Sequence, residues 1–348
     1  MINKRALAIA VAASSLALTG MAQAEVKVGF LGGFTGGIES LTPPIFAGAQ
    51  LAVEQVNEQG GILGGQTLAM PSGDTTCSDA SAASNAADRM VNSENVTAIV
   101  GALCTGATIA AANNAAIPGG VLMVSPASTA PAVSELDDND LVFRTVPSDA
   151  FQGEILAKLL LDKGIDYVAV TFVNNDYGRG LSDAFSAAFT AGGGEVAENL
   201  AHEDNRADYR SELGSLSASG ADTLVVLAYA DTSGQTVLRQ AYESGMFTQY
   251  VGADGMVGDS LVEAIGADVL DGMIATRPGS PELPGTEIFN NAATEAEIDP
   301  SAVFAAQAYD AAFLIALAIE QNGSADREGL AEALRNVSSA PGEVILPG

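Results

Sequence analysis

Val96-Thr97-Ala98-Ile99-Val100-Gly101, followed by Ala102-Leu103-Cys104-Thr105 and an alanine-rich stretch to Ala116, is the segment that decides the fold. The first six residues read as a strand, Gly106–Ala116 as a helix and Val121–Val124 as the next strand. Strands separated by helices are the rhythm of a parallel α/β sheet. The same rhythm extends toward the N-terminus. Val26–Leu31 reads as a strand. Ile45–Asn57 reads as a helix with Ala49, Val53 and Val56 at helical spacing, closed by Gly60-Gly61, and Ser78–Ser93 as a second helix.

Toward the C-terminus the rhythm pauses at Leu136–Asn139, and Leu141–Val146 forms an extended crossing ended by Pro147. A second series then starts: helix Ala150–Lys163, strand Tyr167–Val173, helix Gly180–Ala191, strand Glu195–Asn199, helix Tyr209–Ala218, strand Thr223–Leu227, helix Ser233–Ser244 and strand Tyr250–Gly252. Gly272–Arg277 is a further extended stretch, and helices near Thr286–Ala296, Ser301–Gln321 and Arg327–Asn336 follow it without strands of their own. These helices are expected to return to the first series. The fold class is therefore α/β, two Rossmann-like lobes with parallel sheets. Residues 25–143 plus 278–348 form the first lobe and 144–277 the second, with crossings near 143–147 and 273–278. A cleft between two hinged lobes is a natural small-molecule site.

Composition narrows the function. The chain has 348 residues, enough for about two domains. It is 48% hydrophobic and only 16% charged with mean hydropathy +0.24, which excludes a disordered acidic chain. Against 14 Lys+Arg stand 43 Asp+Glu, a formal charge of −29 that repels phosphate backbones, so nucleic acid is excluded as a partner. One histidine and two cysteines cannot build a His- or Cys-rich zinc site, and His202 cannot serve both a metal and a catalytic triad. His202 lies in Ala201-His202-Glu203-Asp204-Asn205 and reads as a solvated side chain of an acidic loop. Neither Gly29–Gly37 nor Gly178-Arg179-Gly180 fits G-x-G-x-x-G, and G-x-x-x-x-G-K-[ST] and G-x-S-x-G do not occur. No catalytic constellation, metal or cofactor is expected.

The first residues read as an address. Met1–Arg5 is a short basic region, Ala6–Met21 an apolar stretch, and Ala22-Gln23-Ala24 a small-x-small cleavage site, so segment 1–24 reads as a signal peptide removed after Ala24. No cysteine follows the apolar stretch to carry a lipid. In an oxidising compartment Cys77 and Cys104 are expected to form a disulfide rather than remain buried thiols, and they lack the C-x-x-C spacing of a redox pair. Closing that loop is worth about 3.5 kcal/mol in the chain-entropy account.

Several ordered motifs from Val26 to the C-terminus resemble those of the periplasmic leucine/isoleucine/valine-binding proteins, the amino-acid and amide branch of ABC-transporter substrate-binding proteins with the type I periplasmic-binding fold. Lys27–Gly36 resembles the family's first strand and its glycine-threonine-glycine turn. Gly48-Ala49 with Val56-Asn57-Glu58-Gln59-Gly60-Gly61-Ile62 resembles its first helix, and Asp74–Cys77 with Gly101–Cys104 its two half-cystines. Ser125–Thr129, Asn175–Gly180 and Gly252–Gly255 are similar to three turns at its cleft. Family members continue past the segment matching Pro341–Gly348, so the resemblance implies a truncated C-terminus.

The resemblance also implies a site. An amino acid presents a carboxylate beside an ammonium. Thr105, at the start of the Gly106–Ala116 helix, and Thr129 are implied as carboxylate donors, a role that the positive end of a helix suits. Taken alone, both are also ordinary cap positions. The Ala127 carbonyl, the Thr129 hydroxyl and Asp254 are implied for the ammonium, with Ser128 in the same turn. Asp254 departs from the family's commoner Glu. Tyr177, Tyr229 and Phe304 are implied as aromatic walls, although Phe304, Ala308 and Ala312 also read as one helix core face. The rim Ile38–Leu41 departs from the family pattern and is expected to set side-chain selectivity.

The expectation is a periplasmic, monomeric binding protein that closes on a branched-chain or related amino acid and delivers it to an inner-membrane ABC permease. A same-fold alternative binds an amide, a urea-like molecule or an aromatic carboxylate, and would not need Asp254. A periplasmic α/β enzyme or the sensing module of a receptor are the alternatives of other classes.

Overall fold

The computed structural model describes residues 25–348. The proposed signal peptide, 1–24, lies outside the described residues. Two separate sheets form, and every strand pairing in both is parallel.

The first sheet contains β1 (Glu25–Gly32), β2 (Thr67–Ala69), β3 (Ser72–Asp74), β4 (Ala98–Gly101), β5 (Leu122–Ser125) and β6 (Val142–Arg144). Its order is β2-β1-β4-β5-β6, with β3 also on β1. Strands β4 and β5 are buried along their whole length, as apolar runs covered on both faces must be. The covering helices are α1 (Thr42–Glu58), α2 (Ala80–Asp88) and α3 (Thr105–Ala111). Strands β2 and β3, three residues each, are too short for an alternating pattern to announce.

The second sheet contains β7 (Tyr167–Val173), β8 (Glu195–His202), β9 (Thr223–Leu227), β10 (Gln249–Gly252) and β11 (Ile274–Ala275) in the order β11-β10-β9-β7-β8. Helices α4 (Asp149–Asp162), α5 (Asp176–Ala191), α6 (Arg210–Ser217) and α7 (Gln235–Ser244) connect the first four strands and link β6 to β7. Two short helices, α8 (Asp259–Ile265) and α9 (Ala267–Leu270), lie between β10 and β11. The sequence pattern predicts no element there.

Three helices end the chain, α10 (Pro284–Glu295), α11 (Ala305–Asn322) and α12 (Leu330–Val337); α11 packs on β4 and β5 of the first sheet, and α12 packs on α11. Alanines make this possible: Ala305, Ala308, Ala311 and Ala312 are buried on α11, which packs directly on α1. Helix α11 starts later than the expected Ser301, because Phe304 sits at φ 66°, outside the helical region, and the helix can begin only after it. Phe304 is therefore the residue before the helix, and the buried face begins at Ala305.

His202 also departs from expectation. Strand β8 runs three residues past Asn199, so Leu200, Ala201 and His202 pair with Thr171, Phe172 and Val173. That pairing buries His202 to 2% exposure, with Nδ1 2.7 Å from Thr171 Oγ1 and the ring edge-on to Tyr209. Burial pulls its pKa down to about 4, so it is neutral at neutral pH.

Candidate functional site

In an open parallel sheet, ligands collect beyond the carboxyl ends of strands where the winding direction reverses. In the first sheet that reversal falls between β1 and β4, and in the second between β7 and β9. The segments leaving these strands are Gly33–Leu41, Ala102–Thr105, Asn174–Tyr177 and Ala228–Tyr229. They converge. A narrow cavity lies among Ile38, Leu41, Thr105, Tyr177, Tyr229 and Asp254, with Ile45, Leu103, Cys104, Ala127, Gly255 and Phe304 completing its wall. Six residues expected from sequence are thus brought together: Thr105, Ala127, Tyr177, Tyr229, Asp254 and Phe304.

Each is held by its neighbours. Thr105 is the first residue of α3, after Cys104 in extended geometry, and its hydroxyl accepts the Ala130 N–H at 3.4 Å. Asn175 caps α5 by accepting the Gly178 N–H, which fixes Tyr177 in the first turn. The Tyr177 ring stacks on Tyr229 with centroids 5.1 Å apart. Its hydroxyl donates to Asp254 Oδ1 at 3.0 Å and accepts the Gly255 N–H at 3.2 Å. A side chain at 255 would place Cβ 2.5 Å from the Ala228 carbonyl oxygen, so only glycine fits beside Asp254. Gly37 is constrained in the same way, since a Cβ there would lie 2.9 Å from the Tyr229 ring.

Ser128 and Thr129 are not on the cavity wall. The Ser128 hydroxyl is turned into a buried cluster with Thr108 Oγ1 at 2.7 Å and the carbonyls of Ala102 and Leu103. Arg144 donates to the carbonyls of Ser128, Thr129 and Ala130, which shapes the turn behind Ala127. Thr129 is fully buried, and its hydroxyl has no hydrogen-bond partner among the described residues.

Two residues that sequence reasoning passed over complete the polar end. Asp149, the first residue of α4, is fully buried, and its N–H donates to the Thr129 carbonyl at 2.8 Å. Gln152, one turn later, donates from Nε2 to Asp254 Oδ1 at 2.9 Å and to the Thr276 carbonyl at 3.3 Å. Burial pushes the Asp254 carboxyl up to about 6, against the pull of the Tyr177 and Gln152 donors. Asp149 is pushed up to about 8, chiefly by burial and then by the Asp254 charge, with Thr129 and Arg144 opposing. Burial and the nearby Asp254 also raise Tyr177 well above the ordinary phenol range.

The cavity therefore has one end of aliphatic and aromatic side chains and another that carries a buried carboxyl group, beside the Thr105 hydroxyl and the Ala127 turn. Such a site recognises a small molecule with an apolar part and a cation. Among the described residues, no cluster of three or more His, Cys, Asp or Glu is arranged to hold a metal, and no helix is long and apolar enough to cross a membrane. Cys77 and Cys104, the latter on the cavity wall, stand paired with Cα atoms 5.3 Å apart.

A family model described as "Periplasmic binding protein" matches residues 25–345. The chain belongs to the periplasmic binding proteins. Within that family it is 32% identical over 330 residues to the leucine-, isoleucine-, valine-, threonine- and alanine-binding protein of Pseudomonas aeruginosa, covering 94% of this chain and 86% of the relative. Among solved structures, a leucine-binding protein from Thermotoga maritima superposes with a TM-score of 0.80 at 30% identity, over 89% of this chain and 87% of that one. A branched-chain amino acid transporter substrate-binding protein from Streptococcus pneumoniae, in complex with isoleucine, superposes with a TM-score of 0.79 at 26% identity, over 90% and 88%. Periplasmic binding proteins of this type share the two parallel-sheet lobes seen here.

Proposed function

We propose that this chain is the substrate-binding protein of an ABC importer, that it captures a small aliphatic α-amino acid of the branched-chain class, and that it delivers it to an inner-membrane permease. The observation that carries the reading is Asp254: a carboxyl group only 4% exposed, on the wall of an otherwise apolar cavity between the two lobes. A buried carboxylate needs a cation, and the ammonium of an amino acid supplies one. Relatives that bind leucine, isoleucine and valine support the same ligand class.

In this reading Asp254 and the Ala127 carbonyl hold the ammonium, Thr105 and the 127–129 turn hold the carboxylate, and Tyr177, Tyr229 and Phe304 wall the Cα. Ile38, Leu41, Ile45 and Leu103 receive the side chain. The protein is exported to the periplasm with 1–24 as its signal peptide and works as a monomer, with Cys77 and Cys104 oxidised. The lobes, 25–143 with 278–348 and 144–277, swing about the crossings near 143–147 and 273–278. Contacts from both lobes make the ligand favour the closed form, which the permease then selects.

The test is a thermal-shift and calorimetric panel of leucine, isoleucine and valine against 4-methylpentanoate, which keeps the carboxylate and side chain but lacks the amine. The amino acids should bind and 4-methylpentanoate should not. Binding of 4-methylpentanoate, benzoate or an amide without any α-amino acid overturns the assignment. Asp254→Ala should weaken leucine binding at least tenfold, since removing one member of a desolvated charge pair costs several kcal/mol.

A further inference from the structure

Behind Asp254 lies a second carboxyl group that the ligand scheme above does not use. Asp149 is 0% exposed, and neither of its oxygens has a hydrogen-bond partner among the described residues. Buried carboxylates are normally satisfied, and an unsatisfied one is costly. Two further buried atoms beside it are also unpartnered, Thr129 Oγ1 and Gln152 Oε1. The Thr129 hydroxyl faces the Asp149 carboxyl and favours its ionised form, without reaching hydrogen-bond geometry.

These groups come from separate parts of the fold. Asp149 and Gln152 share one face of α4, where the chain has just crossed from the first lobe. Thr129 lies in the turn after β5. Asp254 follows β10, and Thr276, which Gln152 also touches, lies on the second crossing. The titratable and charged groups around Asp149 are Asp254, Tyr177 at the start of α5, Tyr229 after β9, and Arg144 on β6. The Arg144 guanidinium is committed to three carbonyls and the Ser134 hydroxyl rather than to either carboxyl. Asp149 lies one turn before Gln152, which donates to Asp254, and two buried carboxyl groups linked in this way without a dedicated cation cannot both hold a charge cheaply.

We infer that Asp149 and Asp254 act as a pair that holds one proton between them in the ligand-free cleft, and that the cation of an incoming ligand expels this proton to solvent. The inference rests on the reading that an α-amino acid ammonium binds at Asp254, and adds Asp149 as a positioning residue acting through it. In chemical terms, ligand ammonium plus the singly protonated pair gives ammonium held by two carboxylates plus one proton in the buffer. Affinity therefore rises with pH while the pair remains protonated when free, by up to about tenfold per pH unit. A tight site for a cation is thereby built without leaving two bare buried charges when it is empty.

The experiment is calorimetry of leucine binding at about pH 7 in two buffers of different ionisation enthalpy, on the wild type and on Asp149→Asn. The wild type should release between about half and one proton per leucine, and its affinity should climb between about pH 6 and pH 8. In Asp149→Asn both the proton release and the pH slope should collapse. If Asp149 were merely structural, the variant would lose stability and affinity with the slope unchanged, and that result overturns the inference, as does wild-type binding without proton release. Infrared titration of the ligand-free protein decides it separately from the ligand assignment. A protonated-carboxyl band that persists at about pH 7, is absent from Asp149→Asn and titrates at lower pH in Asp254→Asn supports the pair even if leucine does not bind. Its absence from the wild type refutes the pair.

Discussion

Ser40 and Asp231 meet across the mouth of the cleft: the Ser40 N–H and hydroxyl donate to the two oxygens of the Asp231 carboxylate at 2.8 and 2.9 Å. Ser40 lies in the rim that carries Ile38 over the cavity, and Asp231 lies two residues after Tyr229 in the second α/β series. In the proposed hinge motion the contact forms only when the lobes are together, so its free energy would enter the closing equilibrium and not the stability of either lobe. It is solvent-exposed, and an exposed charged contact is worth about 1 kcal/mol or less. Asp231→Ala should weaken leucine binding by about threefold to fivefold, mostly through faster release. Stopped-flow fluorescence would show this, and an unchanged release rate would mean that the contact does not bias closure.

Tyr177 supplies two bonds with one hydroxyl, to Asp254 and from Gly255. Tyr177→Phe keeps the stack on Tyr229 but orphans a buried N–H and removes one of the two side-chain donors that steady the Asp254 carboxylate. An unsatisfied buried group costs about 1–3 kcal/mol. The variant should lose about tenfold or more in leucine affinity and melt several degrees lower. Calorimetry and thermal melts would check both, and a drop in melting temperature with intact affinity would separate Tyr177 from recognition.

The sequence announced the cavity better than its polar end. Thr105, Tyr177, Tyr229 and Asp254 each follow a strand of strong apolar pattern, so their place beyond the carboxyl ends of the sheet came with the strands. Asp149 was missed because an acidic residue after Ser148 at the start of a helix is the ordinary dipole-favoured choice, normally exposed. Neighbours distant in sequence, the turn 127–130 and Asp254 among them, surround it. His202 was misplaced for a related reason. Its acidic neighbours Glu203 and Asp204 suggested a solvated loop, whereas pairing with β7 carries the strand three residues further and turns the ring inward. Ser128 shows the converse limit, since sequence proximity to Thr129 says nothing of which way a hydroxyl points.

Ligand-free stability should fall as pH rises from about 6.5 to 8. Asp149 and Asp254 hold protons in the folded protein at pH values where the unfolded chain, with carboxyls near 3.9, has lost them. A native state that binds more protons than the unfolded one loses stability with increasing pH. His202 acts in the opposite sense, because its lowered pKa makes stability rise with pH between about 4 and 6.5, so the carboxyl pair is seen cleanly only above that window. Urea unfolding should show a loss of about 1–2 kcal/mol across it, abolished in Asp149→Asn and offset by leucine. A flat profile in the wild type would show that the pair does not titrate there.

The Cys77–Cys104 pairing ties the segment after β3 to the residue that caps α3 and lines the cavity, immediately before Thr105. Its sequence separation of 27 gives a loop whose closure is worth about 3.5 kcal/mol in the chain-entropy account. Replacing both cysteines by serine should therefore lower stability by about 2–4 kcal/mol in urea titrations. The same change frees the backbone that aims Thr105, while Asp254 on the other lobe is untouched. Leucine affinity should fall by a few-fold with its pH slope intact, since the slope belongs to Asp149 and Asp254. A double serine variant of unaltered stability would show that the thiols are not joined in the protein, and one with an altered pH slope would show that the first lobe helps set the proton balance of the second.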